Sequence, residues 1–218
     1  MIITFSGTDG AGKSTQITLL SNFIYGKNRR YKIVWARGGY TPVFSFIKKV
    51  VRILLKKNIP KAGPNSSRSK MLENKFISKT WLTCAAFDLF LFYGLYVRIL
   101  DFFNFIVICD RYIEDTEIDF NINFPNSFNS NSFLWKVLTW SIPNAKKSFL
   151  LYVPVDVSLH RSIEKCEPFP DTSDTLNFRL SAYLDESIFP LSKYHKINCQ
   201  QPIEHVQLQI IRQLAGCV

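Results

Sequence analysis

The chain has 218 residues, of which 47% are hydrophobic, and 27 Lys and Arg against 17 Asp and Glu give it a net charge of +10. That apolar share supports one compact domain with a sizeable core and excludes a low-complexity or disordered chain. The cysteines, Cys84, Cys109, Cys166, Cys199 and Cys217, form no CxxC pair and have no His partner at metal-ligand spacing, and the chain opens on a strand pattern, so a reduced, cytoplasmic protein is expected. His160, His195 and His205 are scattered and are read as surface or structural residues.

In chain order, Met1 to Phe5 is an apolar run that predicts a short buried strand, and Lys13 to Tyr25 predicts a helix, with Ile17, Leu20 and Ile24 at helical spacing. Between them lies a glycine-rich turn, FSGTDGAGKSTQ. Glycines allow successive N–H groups to face one concavity, and the following helix adds the positive end of its dipole, so the turn suits phosphate. Gly7, four residues, then Gly12, Lys13 and Ser14 fit the Walker A pattern in full. The expected ATP contacts are therefore Gly7, Thr8, Asp9, Gly10, Ala11, Gly12, Lys13, Ser14 and Thr15. Lys13 would serve the outer phosphates, and Ser14 would ligate magnesium.

Tyr31 to Ala36 predicts a second strand and Val43 to Lys57 a helix with a basic face. Asn58 to Lys70 reads as a loop from its Pro, Gly and Ser content, and a long helix follows to about Phe103. Phe105 to Cys109, Lys147 to Val153 and Tyr194 to Cys199 predict three more strands. Helices are expected near Ser132 to Trp140, Val155 to Lys165, Thr175 to Phe189 and Pro202 to Leu214. Strands alternating with helices imply a parallel sheet with ligands beyond its carboxyl edge. Two further strand ends then carry matching chemistry. Arg37 in ARGGYTP offers a fork for phosphate, and Asp110-Arg111-Tyr112 places a Walker B type acid for magnesium beside an arginine for a second phosphate.

Between Val43 and Lys79 ten basic residues stand against one acid, Glu73. The window reads as a solvated helix face, a funnel for an anionic substrate, or a patch for anionic lipid or nucleic acid; no nucleic-acid-reading motif accompanies it. Thr80 to Val97 is apolar enough to resemble a membrane span, but Asp88 sits near its middle, and a central helix buried on all sides, with Asp88 facing a polar cleft, is the expectation.

Together these pieces resemble the thymidylate kinases, a branch of the P-loop nucleoside monophosphate kinases. The match lies in FSGTDGAGKSTQ, in Arg37-Gly38-Gly39, in CDRY at Cys109 to Tyr112, and in LYVPVDVSLHRSIEK at Leu151 to Lys165. The resemblance implies a three-layer α/β P-loop NTPase fold with about five parallel strands, formed as a single domain with a short lid near residues 161–178. It implies ATP and Mg²⁺ as cofactors, a small phosphate-ester acceptor with dTMP leading, and a homodimer. It assigns catalysis to Lys13, Asp110, Arg111, Arg161 and Lys165, and the metal to Ser14 and Asp110. The acceptor would meet Asp9, Arg37, Phe87, Asp88, Arg111 and Tyr112. No nucleic-acid partner and no transmembrane span are expected; peripheral contact with an anionic surface is left open.

Departures from the family pattern are equally specific. Ser6 stands where the family usually has Glu, so one acid near the centre is missing. Phe87-Asp88-Leu89 stands where Ala-Asp-Arg supplies the thymine-reading arginine, and Ile118-Asp119-Phe120 replaces an Ala-Tyr-Gln-like segment. The lid stretch CEPFPDTSD, Cys166 to Asp174, contains no arginine, which leaves Arg161, Lys165 or Arg179 to supply a transition-state cation. Two alternatives follow: a kinase of the same fold acting on another nucleotide or a sugar phosphate, and a nucleotide-binding, catalytically weak partner or membrane-docking protein.

Overall fold

The computed structural model describes residues 1–36, 74–165 and 171–217. Arg37, the expected 43–57 helix and 58–70 loop, most of the basic window and residues 166–170 of the expected lid lie outside the described residues.

The apolar runs form β1 (Ile2–Gly7), β2 (Tyr31–Trp35), β3 (Ile106–Asp110), β4 (Lys147–Tyr152) and β5 (His195–Asn198). They pair in parallel as one five-stranded sheet in the order β2-β3-β1-β4-β5. All of β1, and nearly all of β3 and β4, is buried, which is why these strands read as continuous apolar runs rather than alternating ones. β2 and β5 are the edges and are more exposed, with Ile33 and Trp35 among the open residues of β2.

Helices α1 (Lys13–Gly26) and α8 (Ile203–Leu214) flank this sheet. Ile17, Leu20 and Ile24 of α1 and Val206, Ile210 and Leu214 of α8 pack with Ile3, Phe5, Ile108, Phe149 and Leu151 in one core cluster. Helical spacing puts those residues on one stripe of each helix, and strand alternation puts Ile3 and Phe5 on one face of β1. The chain is thus an α/β protein with an all-parallel five-stranded sheet flanked by helices, as the strand and helix pattern predicts, and this architecture is consistent with the expected three-layer P-loop fold.

Two compact units can be distinguished. The first comprises Met1–Trp35, Ile99–Ile118 and Asn144–Val218 and contains the whole sheet; the second comprises Ala36–Arg98 and Asp119–Pro143. Within the second unit, α2 (Lys75–Leu89) starts at Asn74, whose side chain accepts hydrogen bonds from the backbone of Phe76 and Ile77. It runs on through a π-helical segment, Phe90–Val97; α3 (Arg98–Phe102) follows in the chain and from Ile99 onward belongs to the first unit. Asp88 and Tyr93 are wholly buried, and the Tyr93 hydroxyl donates to the Ala36 carbonyl at 3.2 Å.

Burial on all sides does not hold for this helix. Phe87, Phe90, Leu95 and Tyr96 are exposed, and only 39% of the most apolar window is buried. By length and composition Lys75–Phe102 could cross a membrane.

One helix was not legible in the sequence. α4 (Ile113–Asn123) begins directly after the Asp-Arg-Tyr turn, and its sequence IEDTEIDFNIN has no clean apolar period. The remaining helices fall close to expectation: α5 (Phe133–Ser141), α6 (Val155–Glu164) and α7 (Ser173–Leu184), with Ser132 and Thr172 capping α5 and α7. α7 ends five residues short of the expected Phe189, because the chain turns at Asp185, whose carboxylate accepts from the Ser187 backbone.

Candidate active site

The first unit places the glycine-rich loop between β1 and α1. Gly7 lies at φ 138°, and a Cβ there would sit 1.9 Å from the Leu151 carbonyl oxygen of β4, so only glycine lets the loop leave the sheet this closely. Gly12 precedes α1 at φ 84° with open space around its missing side chain, which leaves the approach to the helix N-terminus clear. A carboxylate in the first turn of α1 would repel a bound phosphate, and none is found there.

The loop is braced from α6. Ser158 Oγ donates to the Asp9 carbonyl at 2.5 Å, and Arg161 donates to the carbonyls of Gly10 (3.1 Å) and Cys199 (3.0 Å). Arg161 therefore holds the loop's outer turn to the end of β5. Lys165, at the end of the same helix, lines the pocket above the loop. Arg161 is not part of that lining. Arg179, the third cation considered for the lid, is buried on α7 and pairs with Asp171 at 2.8 Å.

That pocket has a volume of about 140 Å³ and a strongly polar lining: Asp9, Gly10, Gly12, Lys13, Ser14, Trp35, Asp110, Arg111 and Lys165. Three strand ends meet there, as expected for the carboxyl edge of a parallel sheet. Lys13 folds back over the loop, its Nζ donating to Gly7 O at 2.9 Å and Thr8 O at 2.7 Å. Burial, and secondarily the Arg111 charge, lowers its ammonium to a pKa of about 8. Two carbonyls and the weak ion pair with Asp9 at 3.9 Å compensate the cation only in part.

Asp110 ends β3 beside Phe5 of β1. Its carboxyl is pushed above the usual carboxylate range, mainly by burial and against the pull of Lys13 and Arg111. Its Oδ1 is buried with no hydrogen-bond donor. An orphaned carboxylate oxygen in the same pocket as the Ser14 hydroxyl fits a magnesium ion, which takes oxygen ligands and keeps most of its shell as water and phosphate. Among the described residues no cluster of three or more His, Cys, Asp or Glu side chains forms, so an all-protein metal cage is not built from them.

Arg111 adopts φ 76°, unusual for a residue with a side chain. Its backbone N–H still closes the ladder to Phe5 O at 2.9 Å, while its buried guanidinium pairs with the Asp9 carboxylate and lies 3.6 Å from Asp115 Oδ1. Asp115 is the acid that sequence reasoning missed. It lies in the first turn of α4, and its Oδ2 accepts from Ser6 Oγ (2.6 Å) and the Tyr112 N–H (2.8 Å), with Tyr183 OH donating to Oδ1 at 2.6 Å. Ser6 is thus hydrogen-bonded to a buried carboxylate that comes from another element. Arg111 and Asp115 are four apart, which was the available signal; it meant nothing until the intervening turn was known to lead into a helix.

Trp35, 47% exposed at the end of β2, is a residue of the pocket lining that was not anticipated. Tyr112 is buried. Phe87 and Asp88 belong to the second unit, Phe87 exposed and Asp88 wholly buried. That unit has its own cavity of about 360 Å³, lined mainly by apolar and aromatic groups including Leu82, Ala86, Phe120, Phe128 and Trp135, with Lys79 also in its lining. Cys84, Cys109, Cys199 and Cys217 are free thiols.

Compared with known proteins, the chain matches no family model and no curated protein.

Proposed function

We propose that the chain is an ATP-dependent phosphotransferase of the nucleoside monophosphate kinase type, with dTMP the leading acceptor. One observation carries this reading. Lys13, Ser14, Asp110 and Arg111, which come from two separate strand ends, converge on a single polar pocket above a glycine loop.

In this reading the loop N–H groups and the α1 terminus hold the β- and γ-phosphates of ATP, and Lys13 leaves its carbonyl partners to meet them. Ser14 and Asp110 would hold Mg²⁺, which when bound neutralises charge on the transferred group. Arg111 receives the acceptor's phosphate. Phosphoryl transfer needs little covalent chemistry from the protein; it needs two phosphates in line and a fixed field of positive charge around them. Lys13, Arg111 and Lys165 supply that field from one pocket. A reduced, cytoplasmic setting goes with this chemistry.

The test is ADP release from MgATP across nucleoside monophosphates and sugar phosphates, with Lys13→Ala as control. Lys13-dependent turnover on dTMP supports the full reading. Turnover confined to another phosphate ester keeps the reaction and replaces the acceptor.

A second reading is favoured by the exposed apolar run Phe87, Phe90, Leu95 and Tyr96: a nucleotide-binding protein that docks through this helix and transfers nothing. Tight MgATP binding with no turnover on any acceptor would select it.

A further inference from the structure

We propose that Asp115, together with Tyr183, is a positioning residue that fixes the Arg111 guanidinium as an anion receptor; the role given to the anion rests on the phosphotransferase reading, whereas the positioning itself does not.

Among the described residues, Arg111 meets two carboxylates of different character, Asp9 and Asp115. Asp9 belongs to the glycine loop, and its side chain is 26% exposed. Asp115 is 1% exposed, sits on a helix, and has three hydrogen-bond donors besides the arginine: Ser6 from β1, the Tyr112 backbone, and Tyr183 from α7. Three separate parts of the chain therefore hold this carboxylate in place. Breaking any one of these bonds leaves a buried polar group unpaired, so the carboxylate has no cheap alternative position. Tyr183 closes the set, donating to Asp115 Oδ1 while its oxygen accepts from Arg111 Nη1 at 3.4 Å. Burial and the neighbouring Asp115 charge keep its phenol protonated, so it remains a donor to the carboxylate.

The strained backbone points the same way. A non-glycine residue at φ 76° persists where the surroundings over-determine it. At Arg111 the backbone is tied to β1 and the side chain to Asp115 and Tyr183. An arriving phosphate would replace Asp9, the accessible partner, and leave the Asp115 contact unchanged. Arg111 is thus pre-organised, and an anion need not spend binding energy ordering it.

The experiment reads Arg111 directly, without ligand. In wild-type protein, the Arg111 side-chain N–H signals in ¹⁵N NMR, assigned with Arg111→Lys, should be resolved and slow to exchange with water. Asp115→Asn should accelerate that exchange at least tenfold and Tyr183→Phe by a smaller factor, whereas Asp9→Asn should leave it within about twofold. Tyr183→Phe keeps the ring and serves if Asp115→Asn does not fold. Exchange unchanged in Asp115→Asn and Tyr183→Phe, or accelerated equally in Asp9→Asn, overturns the proposal. Calorimetric titration of the same variants with dTMP, and separately with MgATP, tests the functional reading on its own. Failure of dTMP to bind wild-type protein would count against that reading and leave the exchange rates, and the positioning role they measure, unaffected.

Discussion

Lys13 is expected to be a burden to the fold that is tolerated for what it binds. Its ammonium is buried, and its pKa falls from 10.5 to about 8. A tenfold change in proton affinity is worth about 1.4 kcal/mol, so below pH 8 the charged side chain costs the folded state about 3 kcal/mol relative to the unfolded chain. Because the folded pKa lies below the unfolded one, the unfolded chain holds more protons between about pH 8 and 10.5, and Lys13 makes stability rise with pH across that window. Lys13→Met removes both the cation and its titration. Denaturant unfolding of wild type and variant without ligand, at pH 7 and pH 10, should show wild type gaining about 2 to 3 kcal/mol on the variant as pH rises. At pH 7 the variant should be no less stable than wild type within about 1 kcal/mol, since the lost bonds to Gly7 O and Thr8 O are offset by relief of the buried charge. MgATP binding should be lost at both pH values. A stability gap that stays constant between pH 7 and pH 10 would refute the view that burial depresses this ammonium.

Three other perturbations address the surroundings of the loop. Gly7→Ala would place a methyl group 1.9 Å from the Leu151 carbonyl, backbone against backbone, and should cost at least about 3 kcal/mol in thermal melts, whereas Gly12→Ala meets open space and should cost only about 1 to 2 kcal/mol for its positive φ. Equal losses in the two variants would contradict the close approach of Gly7 to β4. Arg161→Gln removes the ties to Gly10 O and Cys199 O and should weaken MgATP binding about tenfold, with little change in kcat at saturating nucleotide. A hundredfold fall in kcat with affinity preserved would instead place Arg161 on the transferring group. Glu114, whose carboxyl is raised to about 7 chiefly by burial, keeps its proton in the fold after the unfolded chain has released it, so stability should fall as pH rises from about 4.5 to 7. Glu114→Gln should remove that slope and be more stable than wild type at pH 8 by up to about 3 kcal/mol; an unchanged pH profile in urea unfolding would show that Glu114 ionises normally.

The local elements were open to inspection in the amino-acid sequence because their causes are local. A glycine spacing, the lysine that follows it and a helix start are written within ten residues, and β1, β3 and β4 are largely apolar because both of their faces are covered. The glycine turn between β1 and α1, the five strands to within a residue or two, and the acid and arginine at the end of β3 were all legible on that basis. Strand order, the exposure of the Phe87 to Tyr96 helix, and the separate fates of Arg161 and Lys165 emerged only from the packed chain. The same holds for Asp115. Its partners Ser6 and Tyr183 are 109 and 68 residues away in the chain, and a hydrogen bond between residues so far apart has no period or spacing by which it can be read. It forms because parallel pairing brings β1 and β3 side by side, and because removing a carboxylate from water is tolerated only where its oxygens find donors.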